Sequence, residues 1–230
     1  MVLKLLKLVL QHNDWSKYLQ EFPGSKYIII NSLPLPSKDT IQALVKLETS
    51  NKDLMKTILK KIKEHSRTKN VEVLNTYSAK NHTMAIFKVI TNYKGSITEQ
   101  IINYNSNHDH KVLTYQEYGK NGLEYWSILI YNRYINDFVH ILNEHAEIIS
   151  FNSFDGDLIL NHYFKYSLTP YESYVLKVAY KLGYFEWPKK ATSEDIAKIL
   201  NISKSTFTQI LRNALRKIIA KELLLYNDFS

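Results

Sequence analysis

Three helix starts, each marked by its own cap, follow one another between Thr169 and Ser203, and they leave few ways for that stretch to fold. The first amides of any helix lack partners within it, and a Ser, Thr, Asp or Asn oxygen just upstream supplies one. Thr169-Pro170-Tyr171-Glu172 places Thr at the cap and Pro where its missing N–H costs nothing. Glu172 stands three residues on, where it can bond back to the cap. From Pro170 to about Leu182, helical spacing predicts Val175, Leu176, Ala179 and Tyr180 on one side, with Gly183 free to take the left-handed conformation that ends the helix. The aromatics of Tyr184-Phe185-Glu186-Trp187-Pro188 are then expected to plug the end of a small core. Thr192-Ser193-Glu194-Asp195 forms a second box before a short helix with Ile196, Ala197 and Leu200 inward. Asn201 tolerates positive φ, Ile202 anchors the turn and Ser203 caps the next helix. So tight a connection makes a helix-turn-helix, and Ala197 is small enough to let two helices cross closely.

In the third helix Phe207, Ile210, Leu211 and Ala214 recur at inward positions, which turns Lys204, Ser205, Thr208, Gln209 and Arg212 outward. Gln can pair with adenine in bidentate fashion, and Arg or Lys with guanine, so these five are the candidates for reading base edges in a major groove. Ser203, Thr206, Lys189, Lys190, Arg216 and Lys217 flank them and are assigned to phosphate, which adds affinity without sequence information. The plainer use of the same pattern is a three-helix bundle with a solvated polar face.

Charge agrees with an anionic partner. The 230 residues carry 30 Lys and Arg against 22 Asp and Glu, for a net charge of +8. Residues 1–165 and 166–230 each hold a net +4, so the density is far higher in the shorter part. With no Cys, neither disulfides nor thiolate metal sites can form. No run approaches the roughly 20 apolar residues that span a bilayer. The apolar, basic opening Met1–Leu10 lacks a cleavage site and reads as a strand, so a cytoplasmic protein without membrane partners is expected.

Leu168-Thr169-Pro170-Tyr171-Glu172, Gly183-Tyr184-Phe185-Glu186-Trp187-Pro188-Lys189, Ile196-Ala197, Leu200 through Thr206 and Leu211-Arg212-Asn213-Ala214 together resemble the bat-type helix-turn-helix, the archaeal domain named for the bacterio-opsin activator. The likeness covers about the last sixty residues, and its Gly-Tyr-Phe-x-x-Pro element is more specific than a generic helix-turn-helix. Asn201 stands where that family commonly has Gly, and Lys189 where Arg is usual; both keep the expected physics. The resemblance implies a transcription regulator that binds double-stranded promoter DNA, and through its likeness to the promoter-reading helices of bacterial sigma factors it leaves the basal transcription machinery as a further partner.

Upstream, the pattern predicts strand Lys4–Gln11, a short helix Asp14–Phe22, strands Lys26–Asn31 and Thr40–Glu48, helix Lys52–His65 and strand Asn70–Thr76. The order then repeats: strand Thr83–Thr91, helix Ser96–Tyr104, strands His110–Tyr118 and Gly122–Tyr131, helix Ile135–His145 and strand Ala146–Ser153. Corresponding elements lie about eighty residues apart, which suggests a duplicated ferredoxin-like β-α-β-β-α-β unit, similar at fold level to ACT-type pairs. In helix Lys52–His65, Leu54, Ile58, Leu59 and Ile62 make one stripe, and Lys56, Lys60, Lys61 and Lys63 read as its solvated side.

The expected organisation is therefore an α+β sensing or dimerisation domain over 1–157, an apolar connector over 158–165 and an all-α helix-turn-helix domain over 166–230. A homodimer is expected from the way such motifs read paired half-sites, and the large N-terminal part leaves room for a small-molecule effector. Trp15, Tyr18, Tyr115, Tyr118, Tyr125 and Trp126 are candidates to line an apolar pocket, although core packing is the commoner use of such side chains. No phosphate loop, nucleophile elbow or His-Glu-x-x-His motif is present, so no catalysis, cofactor or metal is assigned. His108-Asp109-His110, with His82 from the neighbouring strand, is the best metal candidate, but the run falls in an Asn- and Ser-rich turn where polar residues are expected anyway. Asp155 and Asp157 are best read as turn formers. Two rivals remain: a metabolite-binding module or enzyme whose helical tail serves assembly, and an adaptor that docks the transcription machinery.

Overall fold

The computed structural model describes residues 2–106, 111–156 and 166–227, with side chains through residue 221. The chain divides into two compact units, Met1–Asp157 and Leu158–Ser230. The connector expected over 158–165, with Asp157, lies outside the described residues, as do His108 and His110.

The first unit runs β1 (Leu3–Gln11), a 3-10 helix (Trp15–Glu21), β2 (Lys26–Leu35), β3 (Thr40–Thr49), α1 (Lys52–Glu64) and β4 (Thr68–Ala79). It continues with β5 (His82–Thr91), α2 (Ile97–Ser106), β6 (Val112–Lys120), β7 (Leu123–Tyr131), α3 (Ile135–Asn143) and β8 (Glu147–Asp155). The short helix expected at Asp14–Phe22 is thus a 3-10 helix, capped by Asp14, whose carboxylate accepts from the Trp15 amide at 2.6 Å. On α1 the buried stripe is Met55, Ile58 and Ile62, while Lys56, Lys60 and Lys63 face solvent.

All eight strands join one antiparallel sheet in the order β4-β5-β3-β2-β6-β7-β1-β8. Neither first strand stays with its own segment. β1 lies between β7 and β8, and β5 lies between β4 and β3. Exchanging β1 with β5, β2 with β6, β3 with β7 and β4 with β8 returns the same order read backwards, so the topology carries an internal two-fold relation.

The cores explain why the exchange holds. Leu6, Leu8 and Leu10 of β1 are buried with Trp126, Ile128 and Ile130 of β7 beneath Ile97 and Ile101 of α2 and Phe138 and Leu142 of α3. Ala85, Phe87 and Val89 of β5 are buried with Val45 and Leu47 of β3 beneath Met55, Ile58 and Ile62 of α1. Each large apolar side chain taken wholly out of water contributes roughly 1.5–3 kcal/mol. Each first strand therefore supplies a stabilising row that the other segment's helices cover.

The two halves meet where β2 and β6 pair over three positions, Lys26 with Lys120, Tyr27 with Gly119 and Ile28 with Tyr118. The Tyr27 ring lies directly on Gly119, where an added Cβ would fall 1.9 Å from a ring carbon. Asn121 and Gly122, both at positive φ, close the β6–β7 hairpin as such two-residue turns require. The resulting register sets Glu117 opposite Trp126 and Gly119 opposite Glu124. Beyond Ile28 the pairing of β2 with β6 ends, and a cavity of about 500 Å³ lies along this seam, bordered by Trp15, Tyr27 and α2. Of the six aromatics considered for a pocket, Trp15, Tyr115 and Trp126 line it. Tyr118 and Tyr125 stack on each other at 4.5 Å, and Tyr18 packs edge-on against His65.

The exchange makes a folding prediction. Residues 1–81 expressed alone lack β5, the middle partner of β3 and β4, and should stay largely unstructured by circular dichroism and amide exchange. Mixing them with residues 82–157 should restore a cooperative transition.

Candidate nucleic-acid interface

The second unit is built from α4 (Pro170–Lys181), α5 (Ser193–Ile199) and α6 (Lys204–Asn227). Both capping boxes form as their residues dictate. The Glu172 amide donates to Thr169 Oγ1 at 3.1 Å while the Thr169 amide donates to Glu172 Oε2 at 2.8 Å. The Asp195 amide donates to Thr192 Oγ1, and Asp195 Oδ2 accepts from the Thr192 amide at 2.9 Å. Ser203 starts α6 by accepting from the Thr206 amide at 3.0 Å. α4 ends at Gly183, whose φ is +75°, and the Tyr184 amide reaches back to the Ala179 carbonyl at 3.0 Å. Asn201 takes φ 54°, and the Ile202 amide closes the turn on the Ala197 carbonyl at 3.0 Å.

Val175, Ala179, Ile196, Ala197, Phe207 and Leu211 form the core of this unit. Tyr184 meets Phe207 edge-on, with ring centroids 5.5 Å apart. Two sequence expectations need correcting here. Tyr180 is 74% exposed, one position too far around α4 from the Val175–Ala179 line, and Trp187 is 95% exposed, so Tyr184 is the aromatic that plugs the core.

All five residues expected to read bases, Lys204, Ser205, Thr208, Gln209 and Arg212, are exposed on α6, opposite buried Phe207, Leu211 and Ala214. Thr208 Oγ1 donates to the Lys204 carbonyl at 2.9 Å. Lys204 pairs with Glu194 at the start of α5, but both ends are more than half exposed. Such a pair is worth about 0–1 kcal/mol, so the ammonium can transfer to an anion at small cost. No described residue forms an ion pair with Arg212 or Arg216.

Ser203, Thr206, Lys189, Lys190 and Arg216, expected at phosphates, are also exposed. Lys189 Nζ lies over the Tyr184 ring at 4.4 Å, and Lys190 Nζ lies 2.6 Å from Glu186 Oε2. Lys217 differs from these. Its Nζ donates to Glu172 Oε2 at 2.6 Å, with side chains only 19% and 12% exposed, and so ties α6 to the cap of α4. Burial alone would raise the Glu172 carboxyl, but the hydrogen bonds from Lys217 and the Thr169 amide hold it below its ordinary value.

A second constellation, absent from the sequence expectations, lies in the first unit. His12 Nδ1 stands 3.0 Å from Glu124 Oε1, and His12 Nε2 stands 3.6 Å from Asp14 Oδ2. Glu124 also accepts from Ser16 Oγ at 2.6 Å and Trp126 Nε1 at 3.1 Å, and Tyr27 Oη donates to Glu117 Oε1 at 2.6 Å. Burial disfavours the His12 imidazolium, but the Glu124 carboxylate outweighs it and the His12 pKa is raised to about 9. Glu124 itself is lowered by His12 despite its burial. Burial and then the Glu124 charge push Glu117 well above the carboxylate range. One signal for this cluster is legible: Glu124 falls in phase with inward-facing Trp126, Ile128 and Ile130.

Residues 168–220 match the family described as "HTH DNA binding domain". A stretch of 52 residues, 23% of this chain, is 40% identical to "Transcriptional regulator NarO" of Haloferax volcanii, covering 25% of that protein. An equal stretch is 44% identical to a "Putative transcriptional regulator" of the same organism, covering 9% of it. The chain therefore spans a quarter or less of the length of these curated relatives. No solved structure matches the chain.

Glu172 offers a test of how the three helices are held. Glu172→Ala removes half a capping box and the partner of Lys217, and should destabilise α4 and α6 by about 1–3 kcal/mol. Amide exchange of those helices in the full chain reads the loss. Because the folded pKa of Glu172 is depressed, its contribution is present above the unfolded value of 4.5 and disappears as pH falls through the folded value, so wild type and variant should converge in acid.

Proposed function

Because residues 168–220 are a helix-turn-helix of the bacterio-opsin-activator type, we propose that the chain is a sequence-specific transcription regulator that reads double-stranded promoter DNA through α6. The observation that carries this reading is the outward row Lys204, Ser205, Thr208, Gln209 and Arg212, set against a core-facing row that begins at Phe207. A helix so divided can enter a major groove with its N-terminal side chains at base edges. Ser203, Thr206, Lys189, Lys190 and Arg216 take phosphates. Lys217 is removed from that set, since its ammonium is committed to Glu172.

The N-terminal unit is read as a duplicated ferredoxin-like domain whose first strands have changed places, serving as a sensing and dimerisation domain. The strand order supports the duplication, and the seam cavity supports sensing. A homodimer is favoured by the sheet face turned away from the helices, where Leu5, Val9, Leu44, Ile86 and Leu129 keep part of their surface exposed. Among the described residues no helix is long and apolar enough to cross a membrane. A regulator of this kind works where the DNA is, in the cytoplasm.

Sequencing of fragments retained from sheared genomic DNA by the purified full chain tests the reading; recovery of no enriched sequence would overturn it. On an enriched site, Gln209→Ala should lose discrimination at one base pair, worth about 1–3 kcal/mol, and equal weakening on all sequences would remove Gln209 from the base-reading set. Lys190→Ala should weaken specific and nonspecific DNA alike and make binding less steeply salt-dependent, as titrations at several salt concentrations would show.

A further inference from the structure

The seam cavity has a chemistry of its own. It is half open to solvent, and its volume of about 500 Å³ falls in the range of small-molecule sites. Ile41, Val89, Ile97 and Ile101 contribute an apolar side, while Asp14, Glu117 and Glu124 gather on the polar side. Not one described lining residue is Lys or Arg, in a chain that has 30 of them, and the lining His12, raised to about 9, is paired with Glu124.

We propose that this cavity is a binding site for a small organic cation, a primary ammonium or guanidinium carried on an apolar body, with the Glu117 carboxyl as the partner of its N–H donors. The proposal rests on the reading of the N-terminal unit as a sensor and names the class of molecule sensed. Glu124 is already committed to His12, Ser16 and Trp126, and Asp14 to the Trp15 amide and His12. Glu117 accepts only from Tyr27, through Oε1, and no described group donates to its other oxygen. The titratable groups that share its surroundings are Tyr27 from β2, Tyr115 two residues along β6, Glu124 from β7, and His12 and Asp14 from the segment after β1; the α2 residues that line the cavity are not titratable.

Burial and then the charge on Glu124 raise the Glu117 carboxyl well above its ordinary value and so favour its protonated form while it lacks a cationic partner. An arriving ammonium takes the place of that proton: the carboxyl ionises, the proton leaves to solvent, and a charge-assisted pair forms in a low-dielectric setting. The charge in the cavity is unchanged by the exchange. Affinity must then rise with pH, since binding releases a proton.

Calorimetry on the full chain with three probes of one skeleton, phenethylamine, 2-phenylethanol and 3-phenylpropionate, tests this. The amine should bind roughly tenfold or more tighter than the other two, release protons on binding as judged in buffers of different ionisation enthalpy, and bind more tightly as pH rises. Glu117→Gln keeps an acceptor for Tyr27 and should lose both the preference and the proton release. Ser32→Trp, which takes up space at a half-buried lining position and leaves Glu117 in place, should lose binding while leaving the melting temperature near wild type. Preference for the acid, no binding by any probe, or unchanged amine binding by Glu117→Gln would overturn the assignment. Promoter affinity measured with and without phenethylamine separates the two readings: amine binding that leaves DNA affinity unchanged sinks the sensor role and keeps the cation site.

Discussion

The N-terminal unit depends on one act of burial, the insertion of each segment's first strand beneath the other segment's helices. β1 carries Leu6, Leu8 and Leu10 on a single face, and the place where that face loses water is under α2 and α3, with β7 and β8 at its edges. β5 does the same under α1 with Ala85, Phe87 and Val89. An antiparallel strand paired on both sides leaves no edge to template another chain, and β1 and β5 both hold such central places. The strands left at the edges, β4 and β8, are the most exposed of the eight.

The seam follows from the same arrangement. With the sheet continuous through β2 and β6, the halves meet along one short ladder, and Gly119 lets the Tyr27 ring cross it. The hairpin register then turns Glu117 and Glu124 toward the helix side, where His12, Ser16 and Trp126 meet them. A buried carboxylate persists only with partners, and Glu124 has three. Glu117 lacks a comparable set, and burial beside the Glu124 charge raises its carboxyl well above the ordinary value. The difference between two carboxyls on one hairpin is what gives the cavity its sign preference.

The helical unit obeys simpler rules. Its caps and turn are local, and they aim α6 before any distant contact is made. Phe207 beneath Tyr184, and Lys217 on Glu172, then fix α6 against α4. The polar row of α6 is exposed because Phe207, Leu211 and Ala214 turn the opposite side into the core. The match over residues 168–220 and the geometry agree on this segment while saying nothing about what precedes it.

What the amino-acid order determined by itself was whatever short-range chemistry can settle. Thr169, Thr192 and Ser203 mark helix starts because capping involves atoms three residues apart, and Asn201 and Gly183 mark turns because φ is a property of one residue. Alternation placed the strands for the same reason. The tertiary structure alone decided which strand pairs with which, since β1 fits equally well beside any sheet that offers it a covered apolar face. It also decided that Tyr180 and Trp187 face water and that Lys217 turns inward. The cluster of His12, Asp14, Glu117 and Glu124 joins residues more than a hundred positions apart, and no local pattern encodes a neighbour that only the folded sheet brings within 3 Å.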